Sequence, residues 1–179
     1  MKARATVTLV HGDAIDLEKF VAPASVDLAY LDPPFAVGVE FKSRKGHVAY
    51  DDRWPSLDAY LKWLEPRVAV VRALVSERGT MWLHLDHRAV HEAKVLCDRV
   101  FGPGAFVGEI IWLPGNGSKA RRGPGATHQT ILLYAKSKKF IWNAKDPELR
   151  APFAKTSLSM HFQNQDAKGR AYRDRTING

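Results

Sequence analysis

With 179 residues, 45% of them hydrophobic, the chain is about the size of one ordinary domain and can bury a core. No apolar run is long enough to span a bilayer and no signal pattern opens the chain, which points to the cytoplasm. Its lone cysteine, Cys97, excludes an internal disulfide and reads as a buried, inert thiol, and no Cys/His cluster has the spacing of a zinc site. A formal charge of +8 and a pI near 9.7 suggest a polyanionic partner, without separating DNA from RNA or an acidic protein.

Residues 6–10 are a short β-prone run ended by Gly12-Asp13, and residues 14–20 predict a helical turn that Pro23 breaks. Residues 26–31 predict a strand of almost continuous apolar character, usual for a strand buried on both faces of a parallel sheet. Asp32 stands at its carboxyl end, the edge of an open α/β sheet at which ligands bind.

The turn that follows, Asp32-Pro33-Pro34-Phe35, is an odd thing to build for stability alone, because the second proline removes a donor and stiffens the chain. It suits transfer of a group to an exocyclic amino nitrogen of a base. Such a nitrogen is conjugated with its ring and is a poor nucleophile, so it needs hydrogen-bond acceptors as it attacks. The Asp32 carboxylate and the Pro33 carbonyl are two acceptors, and proline has no N–H to compete. Phe35 can stack on the flat ring. A base inside a duplex would first be flipped out, at a cost of roughly a few kcal/mol. The plainer reading is a strand end, a Pro-Pro turn and a core phenylalanine.

Residues 36–52 show no period and read as a loop able to close over a substrate. A helix is expected from Ser56, its N-cap, to about Glu77, kinked at Pro66 and stopped by Gly79. Residues 80–85 read as the next buried strand, ended by Asp86. His84, Asp86 and His87 lack the further ligands of a metal set. Residues 88–101 predict a helix stopped by Gly102. Residues 107–113 and 129–135, joined by a glycine-rich loop with no helix between, predict an antiparallel hairpin. A short piece follows at residues 140–143, and residues 145–179 are polar, basic and irregular. The turns at Gly102-Pro103-Gly104 and Gly115-Asn116-Gly117 lack the strand-then-helix context of a nucleotide-binding loop.

The positive charge falls in clusters: Lys42, Arg44 and Lys45 after the Pro-Pro turn; Arg121 and Arg122 in the glycine-rich loop; Lys136, Lys138 and Lys139; and Lys168, Arg170, Arg173 and Arg175 near the end. Their loop positions suit phosphate contact; each alone could equally be a solvated face.

Several blocks occur in a recognisable order: Gly12-Asp13; Ser25-Val26-Asp27-Leu28-Ala29-Tyr30-Leu31-Asp32-Pro33-Pro34-Phe35; Tyr60-Leu61-Lys62-Trp63-Leu64-Glu65-Pro66-Arg67; Gly79-Thr80-Met81-Trp82-Leu83-His84-Leu85-Asp86; Ile110-Ile111-Trp112; residues 128–136; and Gly169-Arg170-Ala171-Tyr172-Arg173. In this order the chain resembles the amino-terminal part of a DNA amino-methyltransferase of the permuted beta group, which includes type II and type III modification subunits. The resemblance runs over residues 8–172.

The resemblance implies methyl transfer from S-adenosylmethionine to N6 of adenine or N4 of cytosine in double-stranded DNA, with adenine favoured by Asp32 where N4-cytosine enzymes more often carry serine. It implies that Asp32 and Pro33 hold the amino group while Pro34 stiffens the turn and Phe35 stacks on the base. Asp13 matches an acidic position near the cofactor's adenosine, with a helix cap as the alternative, and Asp32 would also face the cofactor. His84 and Asp86 match positions that shape the site. Lys42, Arg44, Lys45, Arg121, Arg122, Arg170 and Arg173 are the candidate DNA contacts. The implied fold is a Rossmann-like α/β sheet with helices on both faces, present as its catalytic half over residues 1–143. The expected end is a β-hairpin and an irregular start of a target-recognition region over residues 144–179. The cofactor-binding Phe-x-Gly-x-Gly turn of the group is not in this sequence, so the expectation is a truncated or split piece whose sheet is completed by a second chain or a downstream segment. An inactive DNA-binding remnant and, less favoured, an RNA methyltransferase are the alternative functions, and a homodimer is a further partner expectation.

Overall fold

A computed structural model describes residues 5–43, 46–115, 120–123, 125–149 and 163–173. The chain divides into two compact units between Ile141 and Trp142. The first unit holds a four-stranded sheet built from β1 (Val26–Leu31), β4 (Val75–Leu85), β5 (Phe106–Trp112) and β6 (Gln129–Ala135), in the order β1-β4-β6-β5. β1 runs parallel to β4, while β6 is antiparallel to both β4 and β5, so the expected pairing of the two later strands is present within a mixed sheet.

Two helices cover one face. Ser56 accepts a hydrogen bond from the Ala59 N–H at 3.1 Å and so starts α1 (Leu57–Leu74). The buried stripe Tyr60, Leu64, Val68 and Val71 of α1 joins Ala93, Leu96 and Cys97 of α2 (Val90–Phe101) against Met81, Leu83 and Leu85 of β4 and Leu132 and Tyr134 of β6. The Cys97 thiol is buried, and burial pushes its pKa up to about 12, as befits an inert core group. Gly102, at φ +93°, ends α2. The opposite face carries exposed Leu28 and Tyr30 of β1 and Ile110 and Trp112 of β5, so among the described residues both long helices serve a single face.

Four local expectations are corrected. Residues 6–10 form no strand: the run pairs with no described strand, and Val7 and Leu9 are almost wholly exposed. β1 is an edge strand, not one buried on both faces. Residues 36–52 are not a structureless loop. They contain an antiparallel hairpin, β2 (Glu40–Lys42) with β3 (Val48–Asp51), held by a stacked Phe41–Tyr50 pair with ring centroids 4.6 Å apart. α1 runs on through Pro66 but stops at Leu74, where Val75 turns extended and pairs with Val26. Gly79 therefore lies inside β4 and stops no helix. A Cβ there would stand 2.2 Å from the Val26 carbonyl oxygen, so the glycine is required by the close approach of β1. The short piece at residues 140–143 has no regular structure, and its Ile141 N–H donates to the Arg78 carbonyl.

The second unit contains a 3-10 turn (Pro147–Leu149) and a two-stranded hairpin, β7 (Asn164–Gln165) with β8 (Ala171–Tyr172). The Asp166 carboxylate organises its turn, accepting from the Lys168 and Arg170 amides and from Arg170 Nε.

Candidate active site

β1 is registered on β4 from Leu28↔Thr80 to Leu31↔Leu83, which brings Asp32 beside His84 at the carboxyl edge of both parallel strands. The Asp32 side chain is 63% exposed, and its Oδ1 lies 3.7 Å from His84 Nδ1, beyond a hydrogen bond. It is therefore a rim carboxylate free to accept from a ligand.

His84 is held from two sides and only 12% exposed. Its Nε2 meets the Gln129 Oε1 at 2.9 Å, and its Nδ1 meets the Tyr30 hydroxyl at 2.8 Å. With an amide oxygen facing Nε2, that nitrogen donates and Nδ1 accepts from Tyr30. Partial desolvation of the hydroxyl, and next the Asp32 charge, raise the Tyr30 pKa, keeping its hydroxyl a donor although the residue as a whole is exposed. The Phe35 ring packs on the imidazole at 5.4 Å between centroids. His84 and Tyr30 thus form a floor beneath the Pro-Pro turn.

Beyond Phe35 the backbone turns at Ala36 with φ +56°, a left-handed conformation costing about 1 kcal/mol for a residue with a side chain. The fully buried Asp52 accepts from the Ala36 and Val37 amides, both at 2.9 Å, and from Trp54 Nε1 at 2.9 Å. Sequence reasoning missed this residue, and no local signal could have found it, because its backbone partners lie 15 and 16 positions away.

Two hollows open on either side of the turn. One, of about 590 Å³, lies between β1, α1 and the short 3-10 helix Ala14–Lys19, walled by Leu17, Val21, Ala29, Trp63 and Val71 and bordered by Asp13, Asp32 and Arg67. The other, of about 550 Å³, is a slot between the turn and the β2–β3 hairpin, lined by Pro34, Phe35, Val37, Phe41, Tyr50 and Asp52. Asp32 and Pro33 are the residues common to both linings.

Asp13 caps the 3-10 helix by accepting from the Ile15 N–H, and it borders the larger hollow. Arg67, stacked over the Trp63 ring at 4.0 Å, pairs with its other oxygen, and this bond more than the Ile15 amide holds the Asp13 carboxyl below its usual pKa. Asp86 faces neither hollow; it is buried on the Arg88 backbone and guanidinium at the turn before α2. Among the described residues no group of three or more His, Cys, Asp or Glu side chains could hold a metal ion.

The candidate DNA contacts are less coherent. Lys42 is exposed on β2, 3.5 Å from Glu40, and Arg121 and Arg122 are exposed between β5 and β6. Arg170, bound to Asp166, and exposed Arg173 belong to the second unit. Arg44 and Lys45 lie outside the described residues, as does Arg175.

Comparison with known proteins fits these features. A family described as DNA methylase matches residues 26–178. The type II methyltransferase M.EcaI of Enterobacter cloacae is 34% identical over 143 residues, covering 79% of this chain and 30% of that protein. The EcoP15I Mod subunit of a type III restriction-modification enzyme from Escherichia coli is 26% identical over 161 residues, covering 73% of this chain and 24% of that protein. The chain therefore spans a quarter to a third of these relatives. A Thermus thermophilus protein described as a DNA modification methylase shares the fold, with a TM-score of 0.52, 16% identity and coverage of 83% of this chain and 60% of that one.

Proposed function

Because the chain belongs to the DNA methylase family, we propose that it carries the target-gripping part of an amino-methyltransferase, in which Asp32, Pro33, Pro34 and Phe35 present adenine N6 for methylation. The observation that carries this reading is the meeting of two separate hollows at Asp32 and Pro33. A group transfer needs two ligands whose reacting atoms meet, and the acceptors belong where they meet.

The larger hollow fits S-adenosylmethionine: apolar walls for a purine, with the Asp13 and Asp32 carboxylates at its border for hydroxyl, amino and sulfonium groups. Bound there, the cofactor supplies an electrophilic methyl group. The aromatic slot fits a flipped base, with Phe35 and the stacked Phe41–Tyr50 pair in its lining. The amino group donates its two hydrogens to Asp32 and the Pro33 carbonyl, which turns its lone pair toward the methyl carbon. Held at the border formed by Asp13 and Asp32, the cofactor would supply its methyl group to that lone pair, its sulfur keeping the bonding electrons. The nitrogen then sheds one proton to Asp32, whose exposure lets water carry it away. An acid at this position favours adenine over cytosine.

Double-stranded DNA is the proposed partner, supported by the net charge of +8 and by exposed Lys42, Arg121, Arg122 and Arg173. The open edge of β1, with exposed Leu28 and Tyr30, supports pairing with a further strand from a downstream segment or a second chain. Among the described residues no helix is long and apolar enough to cross a membrane.

The test is transfer of labelled methyl from S-adenosylmethionine to duplex DNA and, separately, to RNA, with calorimetry of cofactor binding alongside. Label on adenine in duplex DNA supports the reading. Cofactor silence with intact DNA binding would leave a DNA-binding remnant, and label on RNA would move the substrate.

A further inference from the structure

Asp52 is fully buried, and among the described residues its carboxylate meets N–H donors rather than a cation. A buried charge is tolerated only when its hydrogen-bonding capacity is filled, so these donors must be held in place as firmly as the carboxylate. They include the first amides after the Asp-Pro-Pro-Phe turn: Oδ1 takes Ala36 and Oδ2 takes Val37. The backbone of Asp52 adds two further ties to the same strip, accepting from Gly38 and donating to Val39. Asp52 also directly follows β3, which carries Tyr50, and it lines the aromatic slot. One residue thus joins the turn that bears Phe35 to the hairpin that bears Phe41 and Tyr50.

We propose that Asp52 is a positioning residue for methyl transfer: its carboxylate clamps the Ala36 and Val37 amides, sustains the left-handed turn at Ala36, and so pre-forms the slot for the flipped base with the Pro33 carbonyl at its rim. The kinetic consequence rests on the methyltransferase reading; the clamp itself rests on the geometry of Asp52. Asp52→Asn keeps the size but replaces one acceptor oxygen with an NH2 group, so one of the two loop amides faces a donor. Trp54→Phe removes the third donor and some packing while leaving both loop amides bound.

The test measures kcat and KM in the full protein, together with amide hydrogen exchange at Ala36 and Val37 without ligand. Asp52→Asn should lower kcat roughly 10- to 100-fold, because a reacting group misplaced by about 1 Å loses that much, and should leave the cofactor KM within about threefold. Exchange protection at Ala36 and Val37 should fall with it. Trp54→Phe should keep kcat within about threefold whatever stability it loses. Ala36→Gly, which accepts the left-handed backbone unaided, should restore part of the loss in the Asp52→Asn background. Unchanged protection at both amides in Asp52→Asn overturns the proposal, as does an equal kcat loss in Trp54→Phe. If Asp52→Asn does not fold, wild-type exchange decides: protection like that of β4 supports the clamp and random-coil rates overturn it. A wild-type protein that transfers no methyl group defeats the functional reading, and the exchange measurement still decides the clamp.

Discussion

The two hollows that meet at Asp32 are made of different material. The larger is walled chiefly by regular structure, with β1 on one side and the Trp63, Leu64, Arg67 and Val71 face of α1 on another, so its shape follows from helix and strand periodicity. The slot is walled by the Pro-Pro turn with Phe35, by Val37 and by a hairpin with strands of three and four residues, and the buried Asp52 in its lining holds the Ala36 and Val37 amides. In the proposed reading, the rigid hollow holds one ligand by packing and the latched one, which shares only its rim, holds the other by a clamp that a single substitution can open.

The largest effect is expected at the shared rim. Asp32→Ala removes the proposed acceptor at the rim of both hollows and should lower methyl transfer by about 10³-fold or more, with DNA affinity changed less than about threefold, read by labelled-methyl transfer and filter binding. Near-normal rates would mean that the contact between the hollows has no chemical role. Next comes the framework of the larger hollow. Gly79→Ala forces a methyl group against the Val26 carbonyl, where backbone cannot yield cheaply, and should cost roughly 2–3 kcal/mol of stability in a denaturant melt. A cost under about 0.5 kcal/mol would show that β1 is not held as tightly as the rigid hollow requires.

That division also marks what the sequence could show. The strands Val26–Leu31 and Gln129–Ala135 and the stripe of α1 follow from apolar spacing, and the Asp-Pro-Pro-Phe turn stands out by composition. Gly79 misleads because glycine marks a helix stop and a close strand approach with the same letter; only the Val26 oxygen tells them apart. The β2–β3 hairpin is too short to show a period, and its stacked Phe41 and Tyr50 are nine positions apart. Asp52 sits in an Asp51-Asp52 doublet in which Asp51 pairs outward with Arg53 and Asp52 turns inward, a choice made by partners far along the chain. The basic residues are visible one by one, but charge alone does not say which of them share a surface.

At the floor made by Tyr30 and His84, a smaller effect separates support from chemistry. Tyr30→Phe keeps the ring beside His84 and removes the hydroxyl that its Nδ1 accepts, at a cost of about 1 kcal/mol of positioning or roughly fivefold in kcat. The cofactor KM should hardly move. A loss as large as that of Asp32→Ala would make the Tyr30–His84 pair part of the proton's exit and not a floor.

The smallest effect is expected at the border of the larger hollow, and its sign is set by charge. The Arg67 bond and, after it, the Ile15 amide hold the Asp13 carboxyl below its ordinary value of 3.8, so the folded chain binds this proton less readily than the unfolded one. The stabilisation is therefore fully present above the unfolded value and is lost as pH falls through the lower folded value. Asparagine still caps the 3-10 helix, so Asp13→Asn isolates the Arg67 pair. With the Asp13 side chain 45% exposed, solvent screening keeps the loss small, about 1–2 °C in Tm at pH 6. The gap between wild type and variant should close below pH 3.8 as the wild-type carboxylate is protonated. A gap that stays constant as the pH drops would show that Arg67 is held by its stacking on Trp63 alone, and that the border of this hollow carries no working ion pair.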